Sequence, residues 1–292
     1  MALRMIASVT TRPPPYHRHL NRNLQTLVAA FDVVYLGLPR VSWKGVEYTT
    51  PHNLPAGVKV VWLDEDFGPA TKIMGGLTHA HEADFVVTFD DDMLYNGEAI
   101  RQAFEQVCIH DRERGLTRVY CFSGTYMRLR LPGWIPWIFC LDGGWHRIRG
   151  MADYRTLKPV TTIAGYAGVA YPSSVLLADD AVGYIRACVG EDKGGLLWKN
   201  DDIVLSSFVA KRGIERIMLP ALDVGVNHKE SSEPTLFPSI QSLLDAGRHP
   251  LIRAHLLAGQ PQPARLLLAD VVVLGICFLI SFFYLLKRTK NE

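Results

Sequence analysis

Residues 84–92 read Asp-Phe-Val-Val-Thr-Phe-Asp-Asp-Asp, and they indicate the architecture of the chain. The apolar run 85–89 is typical of a strand that is buried on both faces of a parallel sheet. Three carboxylates, Asp90, Asp91 and Asp92, stand where that strand ends. In parallel α/β sheets ligands bind beyond the carboxyl ends of the strands. The stretch therefore predicts a polar site at one edge of a sheet.

Strand patterns alternate with helix patterns on either side of this stretch. Strands are predicted over 4–9, 31–36, 58–63, 84–89, 118–122 and 214–219. Helices are predicted from Leu20, over 71–83, from Asn96 as the N-cap, and over 173–188 and 201–211. This alternation predicts an α/β fold with a mainly parallel sheet and helices on both faces.

The bulk composition excludes some classes of protein. The chain has 292 residues, 48% of them hydrophobic and 21% charged, which is ordinary for a globular protein. The net charge of +2 argues against nucleic acid as the main partner, since such proteins usually carry a clear basic excess. The five cysteines form no C-x-x-C pair, which argues against a zinc ribbon and favours reduced thiols in the cytosol.

A second apolar run lies near the C-terminus, over 266–286, and is followed by a basic tail over 287–292. About 20 apolar residues span a bilayer core. A buried core helix is the alternative, but core helices of that length usually keep a polar face. Because the N-terminus has no apolar signal region, we expect a single-pass membrane protein with its large domain, 1–245, in the cytosol and a linker over 246–265.

The three carboxylates repel one another unless a cation compensates them. Hard divalent cations such as Mn²⁺ and Mg²⁺ prefer oxygen ligands of this kind. In an extended segment Asp90 and Asp92 share a face, whereas Asp91 points away. The alternative is a solvated acidic turn that caps the following helix.

Two motifs in sequence order carry a family resemblance. The segment 66–72, Asp-Phe-Gly-Pro-Ala-Thr-Lys, and the segment 89–95, Phe-Asp-Asp-Asp-Met-Leu-Tyr, resemble the GT-A glycosyltransferases. The resemblance is to small viral and bacterial enzymes with Gly-Pro-x-Thr-Lys before D-x-D, and it covers residues 4 to 228. It implies a GT-A (Rossmann-like) fold, a UDP- or GDP-sugar as donor, and Mn²⁺ or Mg²⁺ as cofactor.

The resemblance also implies roles for individual residues. Asp92 and Asp90, with His228, would be metal ligands. The donor would be bound by Thr10, Thr11, Arg12, Asp66, Lys72, Asp90, Asp91 and Gly168. The alternatives are an exposed helix lysine for Lys72, an ordinary strand exit for 10–12, a strand with a bulge at Gly168, and a bystander imidazole for His228.

A later acidic pair, Asp201 and Asp202, opens a predicted helix. In inverting members of the family an acidic residue here is the general base that deprotonates the acceptor hydroxyl. The alternative is a helix cap, because carboxylates are favoured at helix N-termini in any case. Both can hold at once, with one aspartate capping and the other facing the cleft.

The leading functional hypothesis is metal-dependent transfer of a sugar, a hexose or deoxyhexose, to a hydroxyl of a glycan or lipid-linked acceptor. One alternative is a metal-dependent phosphoesterase or nucleotidyltransferase. Another is a non-catalytic membrane protein that binds a nucleotide sugar. The sequence leaves open whether the anomeric centre is inverted or retained.

Overall fold

A computed structural model describes residues 3–127, 145–146, 157–178, 180–190, 193 and 195–220. The predicted linker, the predicted membrane span 266–286, the basic tail and His228 lie outside these residues. No helix in the described ranges has the length and apolarity that crossing a membrane requires. The predicted domain boundaries stay predictions.

Within the described ranges, a main sheet of eight strands has the order β3-β2-β1-β4-β10-β5-β11-β8, and a small sheet has the order β7-β6-β9. The strands are β1 Met5–Thr10, β2 Val33–Pro39, β3 Val58–Leu63, β4 Phe85–Phe89, β5 Arg118–Cys121, β6 Gly124–Met127, β7 Trp145–His146, β8 Lys158–Pro159, β9 Thr162–Ile163, β10 Val169–Pro172 and β11 Glu215–Met218.

The main sheet is mainly parallel, as predicted. Strands β3, β2, β1 and β4 run parallel to one another, and β5 is parallel to β11. Strand β10 lies between β4 and β5 and is antiparallel to both. The carboxyl ends of β1, β3 and β4 therefore meet at one edge of the sheet, here called the carboxyl edge, and the start of β5 lies at the opposite, amino edge.

Helices cover both faces of the sheet. They are α1 Leu20–Ala30, α2 Thr71–Leu77, α3 Gly97–Glu113, α4 Ser173–Leu177, α5 Ala181–Val189 and α6 Asp201–Lys211, and short 3₁₀ turns cover Gly68–Ala70, Ala80–Glu82 and Gly165–Ala167. Asn96 is the N-cap of α3, and its Oδ1 accepts a hydrogen bond from the N–H of Ala99 at 3.2 Å. Helices α1 and α3 pack on one face, and α2, α4, α5 and α6 pack on the other.

Two predicted helices differ from the structure. The helix predicted over 71–83 ends at Leu77, after Gly75 and Gly76, whose backbone freedom weakens a helix interior. The helix predicted over 173–188 is two helices, because Asp180 caps a new one: its Oδ1 accepts from the N–H of Gly183 at 2.7 Å. A polar cap inside an apolar pattern is easily overlooked in the sequence.

Side chains along β1 alternate between the two faces of the sheet and so contribute to two apolar cores. Met5, Ala7 and Val9 join the apolar cluster under α1 and α3, whereas Ile6 joins the cluster under α2 and α4–α6. Ser8 faces α2, where its Oγ donates to the carbonyl of Lys72. Strand periodicity thus fixes which face of the sheet supports Lys72.

Helix α2 lies unusually close to the sheet. A Cβ on Gly76 would lie 2.5 Å from Cγ1 of Val86, and a Cβ on Gly75 would lie 3.0 Å from Cα of Gly37. The first distance is shorter than real Cβ contacts and the second is tighter than most of them, so the two glycines permit the approach. The glycine pair that shortens α2 therefore also allows its first turn, which carries Lys72, to lie at the carboxyl edge.

Candidate active site

The carboxyl edge gathers acidic side chains from two distant parts of the sequence. Asp90 follows β4, and Asp201 and Asp202 open α6. Lys72, in the first turn of α2, lies between them. The structure therefore brings together four of the predicted site residues.

Lys72 is the centre of this group. Its Nζ lies 2.7 Å from Oδ1 of Asp90 and 2.8 Å from Oδ2 of Asp201. The contact with Asp90 has hydrogen-bond geometry, whereas the contact with Asp201 is an ion pair without it. Lysine is almost never buried unless it is paired, and the side chain of Lys72 is only 5% exposed.

The electrostatic balance at Lys72 follows from these neighbours. Burial by itself would lower the pKa of the Lys72 ammonium. The carboxylates of Asp201, Asp90 and Asp202 outweigh burial and raise that pKa well above its ordinary value. Lys72 is therefore a fixed internal cation.

Asp202 has the properties of a base. Its Oδ1 accepts a hydrogen bond from the backbone N–H of Gly165 at 2.9 Å, and its side chain is half-buried. Burial raises the pKa of the Asp202 carboxyl to about 7, and the adjacent Asp201 carboxylate adds to the shift. A base works best when its pKa is near the working pH. Of the predicted pair, Asp201 is the buried partner of Lys72 and Asp202 is the candidate base.

Asp91 lies on a different part of the same turn. Its Oδ2 accepts a hydrogen bond from the hydroxyl of Thr11. The Asp91 side chain keeps some solvent exposure, but protein atoms surround its carboxylate densely. This burial raises the pKa of Asp91 to about 7. The Thr11 bond opposes the shift, whereas Asp92 and Asp90 add to it. Asp91 thus ties the end of β1 to the end of β4.

The other predicted donor-binding residues lie along the same edge. Oγ1 of Thr10 donates to the carbonyl of Gly37 at 2.9 Å, and Nε of Arg12 donates to the carbonyl of Pro15 at 3.1 Å. Asp66 is buried and caps its own turn, because its Oδ1 accepts from the N–H of Gly68 at 2.8 Å.

Gly168 lies between the turn that carries Gly165 and the first residue of β10. Its φ is +94°, in a region that favours glycine, and a Cβ there would lie 3.0 Å from Cε1 of Phe89. Both glycines of this segment therefore allow the backbone to approach the end of β4 and the acidic group beside it.

The backbone of Asp90 is held by two residues that sequence reasoning missed as site residues. The hydroxyl of Tyr95 accepts from the N–H of Asp90 at 3.1 Å and donates to the carbonyl of Tyr166 at 2.8 Å. Nδ2 of Asn23 donates to the carbonyl of Asp90 at 2.7 Å. The backbone of Asp90 is thus held on both its N–H and its carbonyl by protein side chains.

A loop over 40–48 also reaches the site, and sequence reasoning missed it. The hydroxyl of Tyr48 donates to the carbonyl of Thr11 at 3.2 Å, and the N–H of Trp43 donates to Oδ2 of Asp66 at 2.8 Å. The Trp43 ring packs edge-on against Trp198 at a centroid distance of 6.1 Å. These contacts are long-range, and no local sequence signal announces them.

The donor set at this edge fits a divalent cation that is held jointly with substrate phosphates. Within the described ranges, no group of three or more His, Cys, Asp or Glu side chains could hold a metal ion. Such ions usually use one or two carboxylates together with substrate oxygens. Asp92, which is half-buried on the turn, and Asp90 could supply these carboxylates.

Comparisons with known proteins give a distant likeness in shape. No known family matches the sequence, and no curated protein is significantly similar to it. The chain is similar to a crystal structure of S. aureus TarS 1–349 in complex with UDP, with 17% identity and a TM-score of 0.36. A second structure of TarS 1–349 has 15% identity and the same TM-score. Each alignment covers 69% of this chain and 56% of the TarS fragment. A likeness this distant carries no argument about function, which has to come from the side chains of the site.

Proposed function

We propose that the chain is a metal-dependent glycosyltransferase that moves a sugar from a nucleotide diphosphate sugar to a hydroxyl group. The observation that carries the proposal is the convergence of Asp90, Lys72, Asp201 and Asp202 at the carboxyl edge of a mainly parallel sheet. Ligands bind at this edge in α/β sheets. Strongly shifted pKa values in such a cluster are typical of catalytic sites.

Asp202 is the proposed general base. Its carboxylate would accept the proton of the acceptor hydroxyl as that oxygen attacks the anomeric carbon. The hydrogen bond from Gly165 fixes one carboxylate oxygen, and burial keeps the pKa of the group high enough to take a proton. This role applies if the reaction inverts the anomeric centre.

The donor is proposed to lie along the ends of β1, β3 and β4. Thr10, Thr11, Arg12 and Asp66 would contact the nucleotide, and the turn 90–92 would lie beside the diphosphate and sugar. Asp92 and Asp90 would hold Mn²⁺ or Mg²⁺ together with the diphosphate. When bound, such an ion would neutralise the negative charge of the leaving diphosphate.

Three further elements of the proposal rest on sequence alone. His228 is proposed as an additional metal ligand, because neutral imidazole suits Mn²⁺. The segment 266–286 is proposed as a membrane anchor that leaves the catalytic domain in the cytosol. An anchored enzyme meets lipid-linked sugars or protein-bound glycans at the membrane more readily than free small molecules, so these acceptors are proposed.

Donor binding tests the proposal. Thermal unfolding of the full chain would be followed with UDP-, GDP- and dTDP-sugars, with Mn²⁺ or with EDTA. We expect one nucleotide to raise the melting temperature in the presence of Mn²⁺, because a ligand that binds only the folded state stabilises it. The Asp92→Asn variant should lose this shift. If no nucleotide sugar alters the melting temperature at millimolar concentration, the proposal is wrong.

A further inference from the structure

Lys72 is enclosed by protein groups on three sides. Asp90 and Asp201 approach its Nζ to 2.7 and 2.8 Å. The third side is the turn at Gly165, where a Cβ would lie 2.7 Å from the same Nζ and 2.7 Å from Oδ1 of Asp202. A lysine ammonium has three N–H donors, and two of the surrounding groups are already carboxylates of the protein.

The backbone of Lys72 is also held in place. Its carbonyl accepts a hydrogen bond from Oγ of Ser8, and the close packing of α2 on the sheet leaves little room for the helix to shift. A side chain that is 5% exposed and anchored at both ends cannot swing toward a ligand without breaking its ion pairs. A lysine that binds phosphate as a mobile point charge would need that freedom.

We propose that Lys72 is a positioning residue, which bridges the Asp90 turn and the start of α6 and so holds Asp202 at the attack position. This inference rests on the proposed function and assigns to Lys72 a role other than donor binding. Asp202 follows Asp201 directly, so the bridge to Asp201 orients the first turn of α6, and the N–H of Gly165 fixes the carboxylate that projects from it.

Removal of the ammonium has a specific consequence. Lys72→Met keeps the length of the side chain but leaves the carboxylates of Asp90, Asp201 and Asp202 to repel one another. The start of α6 then moves relative to the Asp90 turn. A displacement of about 1 Å at a reacting group can cost about 100-fold in rate. Asn23 and Tyr95 hold the Asp90 backbone independently of Lys72, and Lys72 itself is not proposed to contact the donor, so the donor KM should stay nearly constant.

The test measures kcat and KM for the UDP- or GDP-sugar that the wild-type full chain turns over fastest. Lys72→Met should lower kcat about 100-fold, with the donor KM within about twofold of wild type. The matched control is Lys59→Met, an exposed lysine on β3, which should change neither constant. A large rise in the donor KM of Lys72→Met with kcat unchanged would show that Lys72 binds the donor, and it would overturn the positioning role alone.

Two further variants address folding. Lys72→Arg keeps the charge and should lose less melting temperature than Lys72→Met, but its larger planar guanidinium bridges the carboxylates differently, so kcat should fall while the donor KM holds. The double variant Lys72→Met/Asp201→Asn removes one charge of each sign. It should therefore recover part of the melting temperature that Lys72→Met loses.

These measurements distinguish the positioning role of Lys72 from the proposed function. A lack of recovery in the double variant would contradict the bridge between Lys72 and Asp201, whatever the activity. A wild-type chain that turns over no donor would overturn the proposed function, and this inference with it.

Discussion

Two buried acidic clusters lie at opposite edges of the same sheet and differ in kind. At the amino edge, Asp111 of α3 lies 3.0 Å from the guanidinium of Arg118 and accepts a hydrogen bond from the hydroxyl of Tyr120. At the carboxyl edge, Lys72 is the cation that the described residues place against Asp90, Asp201 and Asp202. Within the described part of the chain, the carboxylate of the first cluster accepts from several donors, whereas Oδ2 of Asp201 in the second has no hydrogen-bond partner.

The pKa values express this difference. Burial by itself would raise the pKa of Asp111, but hydrogen bonds from Tyr120, His110 and Arg118 lower it. The pKa values of Asp202 and Asp91, by contrast, are raised to about 7, mainly by burial. A satisfied carboxylate contributes stability, and a crowded one holds a proton that chemistry can use. Burial of charge alone therefore does not identify an active site.

A cavity of about 230 Å³ opens beside the amino-edge cluster and is lined in part by Asp111, Arg112 and Arg118. The carboxylate of Asp111 already accepts hydrogen bonds from protein donors. The proposed chemistry is therefore at the carboxyl edge, where the described residues satisfy the carboxylates less completely.

The largest expected effect is on the base. Asp202→Asn removes the proton acceptor and should lower the rate of donor turnover by about 10²- to 10⁴-fold, with donor binding unchanged. Initial rates and the donor-induced shift in melting temperature measure the two quantities. A variant that retains more than about a tenth of the wild-type rate would remove Asp202 from the mechanism.

The corresponding substitution at the amino edge is that of Asp111. Asp111→Asn breaks a partly buried ion pair and should cost about 2 kcal/mol of unfolding free energy. The turnover rate per folded molecule should not change, since the substitution lies at the other edge of the sheet. Urea unfolding and initial rates at a temperature where the variant is folded measure both. A loss of activity without a loss of stability would reverse the assignment of the two clusters.

A smaller effect is expected at a pair of glycines. In Gly165→Ala the new Cβ would lie 2.7 Å from both Oδ1 of Asp202 and Nζ of Lys72, so these two groups have to shift, and turnover should fall about 10- to 100-fold together with some stability. Gly115→Ala at the amino edge has open space but a φ of +67°, and should cost about 1 kcal/mol of stability with no loss of turnover. Equal effects on turnover would contradict the contrast between the edges.

The smallest effect is in the pH dependence of stability. An unfolded aspartate has a pKa of about 3.9. Between about pH 4 and 7 the folded state therefore binds more protons at Asp202 and Asp91 than the unfolded state, and both groups make stability fall as the pH rises. Asp111, with a lowered pKa, contributes stability above about pH 4 that is lost as the pH falls further.

Melting temperatures from pH 3 to 8 separate these contributions. Asp202→Asn should flatten the decline between pH 4 and 7, and Asp111→Asn should flatten the loss at low pH. An Asp202→Asn curve parallel to that of wild type would show that the pKa of this carboxyl is not raised.

The sequence was sufficient for the elements whose signal is local. Strand 58–63 and helix 201–211 have the predicted bounds, because apolar periodicity and an acidic first turn are visible in consecutive residues. The position of the acidic motifs at the carboxyl edge also followed, since parallel strands end together.

The pairing within the site could not be predicted in this way. Lys72 was expected to bind the donor, and its contacts with Asp90 and Asp201 depend on how α2 and α6 pack around the sheet. Strand β10 lies between β4 and β5, and the Gly165 turn before it is thereby brought to Asp202. No local sequence pattern predicts this arrangement. The amino-edge cluster was missed for the same reason, because Arg118 and Tyr120 read only as strand residues.

Product analysis of donor turnover is the most direct measurement. The wild-type full chain would be incubated with UDP- and GDP-sugars and Mn²⁺, and the products resolved by chromatography, with EDTA and Asp92→Asn as controls. A glycosyltransferase without acceptor releases the nucleoside diphosphate and free sugar, and we predict these products, lost in both controls. Nucleoside monophosphate with sugar phosphate would instead identify a phosphoesterase. Binding without any turnover, even with glycan acceptors added, would contradict the assignment of the carboxyl edge as a catalytic site.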